Sequence, residues 1–174
     1  MKSFTLIYTA LFCEAKAVIE HFRMKFVQKR PYRVYSSDDI VLIVGGMGAQ
    51  NTALHVEDIF GRYKFIRAVN IGIAGCKDRT IEIGSVYCTN HRLSDIDFLT
   101  LSSHNEAVEN AKELDTTLVD MEAESFLKIC KRHIDSENTF VFKVVSDYLN
   151  AKIPKKEFVE KLIKNSIKKW EKYV

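Results

Sequence analysis

The chain has 174 residues, of which 47% are hydrophobic and 28% charged, and its formal net charge is +3. That length suits one compact domain over residues 1–174, and the apolar fraction argues against disorder. No stretch approaches the roughly 18 apolar residues of a membrane span, and Glu14 and Lys16 stand where a signal peptide would need small residues for cleavage, so a cytoplasmic protein is expected.

Residues 4–10 predict a buried first strand, and residues 14–24 a helix with Ala17, Val18 and Phe22 on one side. Residues 26–27 and 33–35 read as short antiparallel strands. The run 39–44 (DIVLIV) is apolar enough to be buried on both faces. The turn Gly45-Gly46-Met47-Gly48 leads into a helix over 51–60, and residues 65–71 form the next strand. A turn-rich link, GIAGCKDRTIEIG, runs to a strand at 85–89. Residues 97–101 predict a strand, 105–114 a helix, 117–120 an extended segment and 121–133 a helix. An apolar strand at 139–145 and a last helix at 155–173 complete the chain. All seven glycines fall between Gly45 and Gly84, which places the demanding turns in the first half.

From residue 150 onward eight lysines face three glutamates. Phe158, Leu162, Ile163, Ile167 and Trp170 recur there at helical spacing, so a docked amphipathic helix with a solvated lysine face is expected. No arginine-rich cluster accompanies it, and neither nucleic acid nor a membrane surface is an expected partner. Cys13, Cys76, Cys88 and Cys130 form no CxxC pair, and the histidines are scattered, so no metal and no cofactor are expected.

Strands alternating with helices give an α/β fold of three layers, a central mixed and mostly parallel β-sheet flanked by helices. Ligands in such sheets sit beyond the carboxyl ends of the strands. The loops there are 10–14, 45–48, 70–75, 119–124 and 146–147. Each has an ordinary reading. Gly45-Gly46-Met47-Gly48 matches neither a dinucleotide fingerprint nor a P-loop. Glu14 and Glu122 could be first-turn carboxylates favoured by a helix dipole, and Asp147 could cap a turn.

Taken together, ALFCEA (10–15), GGMGAQNTA (45–53), NIGIAG (70–75) with IGSVYC (83–88), VDMEAESF (119–126) and VVSDY (144–148) resemble the nucleoside phosphorylase/nucleosidase superfamily. The motifs are most similar to those of methylthioadenosine/S-adenosylhomocysteine nucleosidases. The resemblance implies a phosphorylase/hydrolase-like fold and hydrolysis of the N-glycosidic bond of a purine nucleoside or 5′-thionucleoside. It makes Asp147 the acid that protonates the leaving base near N7, with Ser146 orienting it. Glu122 would hold the ribose hydroxyls, Met121 would pack beneath the sugar, and Glu14 would position and deprotonate the attacking water. Gly46 and its turn would line the sugar and water site. A homodimer or larger homo-oligomer is implied as well.

A phosphorylase would need cations for its phosphate. Arg62, Arg67 and Arg79 fall off the expected strand-end loops, and Glu14 is electrostatically wrong beside phosphate, which favours water as nucleophile. Two departures from the family pattern stand out. The region after IGSVYC is short, and the segment 98–108, where a purine-stacking aromatic is expected, offers only Phe98, with 102–104 as a candidate base wall. A non-catalytic purine-binding member of the fold and a phosphate-dependent phosphorylase therefore stay open as alternatives.

Overall fold

The computed structural model describes residues 2–150 and 154–174. In chain order the elements are β1 (Phe4–Thr9), α1 (Phe12–His21), β2 (Lys25–Gln28), β3 (Arg33–Ser36), β4 (Ile40–Val44), α2 (Ala49–Arg62), β5 (Phe65–Cys76), β6 (Val86–Cys88), β7 (Leu101–Ser103), β8 (Leu118–Asp120), α3 (Ala123–Cys130), β9 (Thr139–Asp147) and α4 (Lys156–Trp170). The strands form one sheet in the order β2-β3-β4-β1-β5-β8-β7, and β9 pairs with β5 and β6.

Pairing is parallel through the centre, from β4 to β1 to β5 to β9. It is antiparallel at β2–β3, β3–β4 and β6–β9. The central strands are the apolar runs, and alternation along them divides the core in two. Ile7, Leu42, Val69, Ile71, Phe142 and Val144 face α1 and α4, where Trp170 is fully buried. Leu6, Tyr8, Val41, Ile43, Ala68 and Val141 face α2 and α3. The three-layer mixed sheet is the expected architecture.

Several elements differ from expectation. The strand expected at 65–71 continues to Cys76, so Gly72 and Gly75 lie inside β5 and not on a strand-end turn. This extension lets β5 pair with β9 up to Gly75–Asp147 and, at Gly75 and Cys76, with β8. It also puts Arg79 on the loop after a strand end, contrary to expectation, with its guanidinium 5.6 Å from the Tyr148 ring centroid. The helix expected at 105–114 is absent; only a single 3-10 turn forms, at Ala111–Glu113. Tertiary packing overrides the helical spacing there, because Leu114 and Val108 are drawn against Val119 and Leu149. On α4 the buried stripe is Val159, Leu162, Ile163, Ile167 and Trp170, while Phe158 is exposed. Among the described residues no helix is long and apolar enough to cross a membrane.

The turn between β4 and α2 is built on a close approach. A Cβ on Gly45 would lie 2.3 Å from the ring of Tyr8, which passes under the turn to donate from its hydroxyl to the Gly46 carbonyl at 2.8 Å. Gly61, inside α2, would place a Cβ in open space. Gly45→Ala is therefore expected to destabilise the fold by about 1–3 kcal/mol through overpacking. Gly61→Ala should stabilise it by about 0.5–1 kcal/mol through helix propensity. Urea denaturation of the two variants checks the pair of opposite signs.

Candidate active site

The carboxyl ends of β1, β5 and β9 and the start of α3 surround one cleft of about 770 Å³, its open mouth included. Glu14, Met121, Glu122, Ser146 and Asp147 all line it. Five of the six expected site residues, distant in sequence, thus meet in one place. Gly46 does not line the cleft. Its carbonyl is turned to Tyr8, and the turn reaches the cleft through Met47.

Glu14 sits in the first turn of α1, but it is 3% exposed and so is not the solvated first-turn carboxylate that the bland reading required. Its Oε2 accepts the backbone N–H groups of Ala10 at 3.1 Å and Leu11 at 2.8 Å, and its Oε1 accepts that of Ile73 on β5 at 3.0 Å. The carboxylate thereby ties the loop after β1 to β5. A Cβ on Gly72 would stand 2.9 Å from Glu14 Oε1 and 3.4 Å from Lys143 Nζ, so the bare backbone at Gly72 makes room for both. Burial pushes the Glu14 carboxyl above its ordinary range, against the three N–H donors and Lys143. A raised carboxyl suits a base that must take a proton.

Glu122 immediately precedes α3 and is also buried. Its Oε1 accepts the N–H of Gly48 at 2.8 Å, which joins the β4–α2 turn to the start of α3. Burial, aided by Asp120 and Glu14, raises its carboxyl to about 7, although Lys143 and Gly48 pull the other way.

Lys143 belongs to none of the motifs that carry the family resemblance. It is a lone cation in the middle of the apolar strand β9, and strand alternation aims it at the same face as Val141. Its ammonium lies 2.7 Å from Asp120 Oδ2, and both side chains are 1% exposed. Burial alone would lower the ammonium pKa, but Asp120, Glu122 and Glu14 outweigh it and raise the value, so Lys143 is charged. Asp120 also accepts from the Ser103 hydroxyl at 2.5 Å on Oδ1 and from the Ala123 N–H at 3.0 Å on Oδ2, so both of its oxygens are engaged. The sequence signal for this pair was a charge where a buried strand should have none.

Asp147 ends β9. Its Oδ2 accepts from the Ser146 hydroxyl at 2.6 Å and its Oδ1 from the Asn150 N–H at 2.9 Å. The Ser146 hydroxyl also lies 3.3 Å from the Ala74 carbonyl, which places it between β5 and the Asp147 carboxylate. The rest of the wall is aliphatic, with Ile73, Val108, Val119 and Leu149 among the lining residues. No aromatic side chain lines the cleft among the described residues. Phe98 lies elsewhere, beneath the Arg92 guanidinium at 4.7 Å from its ring centroid, and the base-wall candidates 102–104 give way to 106–108. Among the described residues no arginine lines the cleft, and no cluster of His, Cys, Asp and Glu could hold a metal ion.

No family model and no curated protein matches the sequence. Solved structures do match the fold. A 5′-methylthioadenosine/S-adenosylhomocysteine nucleosidase from Helicobacter pylori superposes with a TM-score of 0.83 at 14% identity, over 99% of this chain and 98% of that one. The futalosine hydrolase of Helicobacter pylori gives 0.82 at 13% identity, over 98% and 97%. The nucleosidase from Neisseria meningitidis, in complex with methylthio-immucillin-A, gives 0.80 at 17% identity, over 99% and 98%. The chain therefore has the mixed α/β fold of these nucleosidases from end to end.

The burial of Glu122 has a measurable consequence. In the unfolded chain its carboxyl titrates near 4.5, and in the folded protein near 7. The native state thus holds an extra proton between those values. Stability is unpenalised below pH 4.5, falls through the window and carries the full penalty, on the order of 3 kcal/mol, above about 7. Glu122→Gln keeps the Gly48 acceptor and removes the titration. Its melting temperature relative to the unmutated protein should climb from pH 4.5 to pH 8; a difference that does not change with pH would contradict the assignment.

Proposed function

We propose that the protein is a purine nucleosidase that hydrolyses the N-glycosidic bond of a nucleoside or 5′-thionucleoside of the methylthioadenosine/S-adenosylhomocysteine type. The observation that carries this reading is the meeting of Glu14, Glu122 and Asp147 in one cleft at the carboxyl ends of the strands. The fold shared with nucleosidases supports it.

In this reading the purine lies toward Asp147 and the aliphatic wall, and the ribose lies over Met121 with its hydroxyls on Glu122. Asp147, as the general acid, passes a proton to N7 as the C1′–N9 bond breaks and the bonding pair passes to the base. Ser146 holds the acid in place. C1′ gains oxocarbenium character, and the unneutralised carboxylates nearby stabilise that positive charge. Water attacks C1′ and loses a proton to Glu14, which the buried environment has made more basic. The products are free base and a reducing sugar, and the two catalytic carboxyls return to their starting states by proton exchange with solvent. Lys143 holds Asp120, and through the shared field of the cluster keeps the carboxylates compatible.

Water is favoured over phosphate because Glu14, Glu106, Asp120, Glu122 and Asp147 surround the cleft, while among the described residues the one cation backing it, Lys143, is committed to Asp120. The proposal includes the homo-oligomer that the resemblance implies, consistent with the exposed Met47 at the cleft mouth and Leu54 on α2; a single-copy mass by light scattering would remove that part alone.

Purified protein in phosphate-free buffer should release adenine from 5′-methylthioadenosine. Asp147→Asn and Glu14→Gln should each lower kcat by about 10²–10⁴-fold, while calorimetry still detects nucleoside binding. Stoichiometric binding with no base release from a panel of nucleosides would mean a binding protein. Strict phosphate dependence with a sugar 1-phosphate product would mean a phosphorylase.

A further inference from the structure

A second cavity lies at the opposite end of β9. Thr139 begins that strand and Asp147 ends it, which separates the two sites by about 26 Å at the usual strand rise. The cavity measures about 620 Å³, its mouth included, and is lined by Asn90, His91, Lys128, Lys131, Ser136 and Thr139 among others. Its wall is braced from within. Asn90 Nδ2 donates to the Thr139 carbonyl at 2.7 Å, and Asn90 Oδ1 accepts from the Val141 N–H at 2.9 Å. His91 Nε2 lies 2.9 Å from the Thr139 carbonyl and 3.1 Å from that of Ser136, which makes it the donor to both.

Three groups in this cavity are not accounted for by the fold. Thr139 is 2% exposed, and its hydroxyl is buried without a hydrogen-bond partner. Buried hydroxyls in folded proteins are nearly always paired. Lys128, in the last turn of α3, and Lys131, just past its end, have no acidic partner among the described residues. Asp135 and Glu137 flank the adjoining turn but do not line the cavity. Glu124, one turn before Lys128, is bonded to the Ser103 N–H. Lysines near a helix C-terminus complement its dipole. That explains their charge, but not the cavity or the unpaired hydroxyl.

We propose that this cavity binds a phosphate group, either inorganic phosphate or the monoester of a small metabolite. Lys128 and Lys131 supply the charge, and the Thr139 hydroxyl, closed off in this structure, turns toward the bound group to donate a hydrogen bond. Charge sign separates this site from the acidic cleft, so the same ligand does not suit both. The inference is independent of the proposed reaction.

Calorimetric titrations at low ionic strength with inorganic phosphate and with glycerol 3-phosphate test it. Saturable binding of at least one is expected, weakened at least tenfold in K128A/K131A and several-fold in T139V, and weakened by added salt. Unchanged circular dichroism and melting temperature in K128A/K131A would show that the loss is not unfolding. Tighter binding of glycerol 3-phosphate identifies a monoester ligand, and equal binding identifies phosphate itself. Absence of saturable binding by both probes, or equal affinity in the folded variants, would overturn the proposal.

Discussion

The ammonium of Lys143 is the charge around which the cleft is organised. It sits in the middle of the buried strand β9, 2.7 Å from Asp120, with Glu14 and Glu122 close enough to raise its pKa. Three carboxylates and no cation in such a space would repel one another and lose their hydration without compensation. One ammonium fixed on Asp120 removes part of that repulsion. It leaves Glu14 and Glu122 with raised carboxyls, one of them near 7, as the proposed base and hydroxyl acceptor require. The cluster costs stability, and its concentration at one end of the sheet is the mark of a site more than of a scaffold.

Backbone geometry does the remaining placement. The three N–H groups that hold Glu14 come from the loop after β1, at Ala10 and Leu11, and from β5, at Ile73, so the carboxylate is fixed to the end of the sheet. Gly72 leaves the space that Glu14 and Lys143 fill. Gly48 reaches Glu122 from the opposite side, and Tyr8 locks the turn that carries it. Parallel pairing of β4, β1, β5 and β9 brings these strand ends to one edge, and that topology makes a site from segments separated by more than a hundred residues.

Much of this was legible in the sequence. Apolar runs with turn residues between them gave the central strands, and the polar residues at their ends gave Glu14, Glu122, Ser146 and Asp147. What could not be read has physical reasons. The segment 105–114 has helical spacing but is pulled open by the packing of Leu114 and Val108 near the cleft. The extension of β5 through Gly72 and Gly75 depends on partners, β9 and β8, that lie far along the chain. Lys143 is visible as an anomaly in an apolar run, but its partner Asp120 follows only from the sheet. Gly46 illustrates the opposite error: the turn is in the right place, yet a neighbouring residue, Met47, faces the cleft. The aliphatic wall of Val108, Val119 and Leu149 stands where the family resemblance implies a purine-stacking aromatic.

The account rests on where a nucleoside lies among these groups. A crystal structure of the Asp147→Asn protein with 5′-methylthioadenosine tests this most directly. The account predicts the side chain of residue 147 at hydrogen-bond distance, about 3 Å, from purine N7, the ribose hydroxyls on Glu122, and a water molecule between Glu14 and C1′. A nucleoside bound outside this cleft, or bound within it with its base turned away from residue 147, would contradict it.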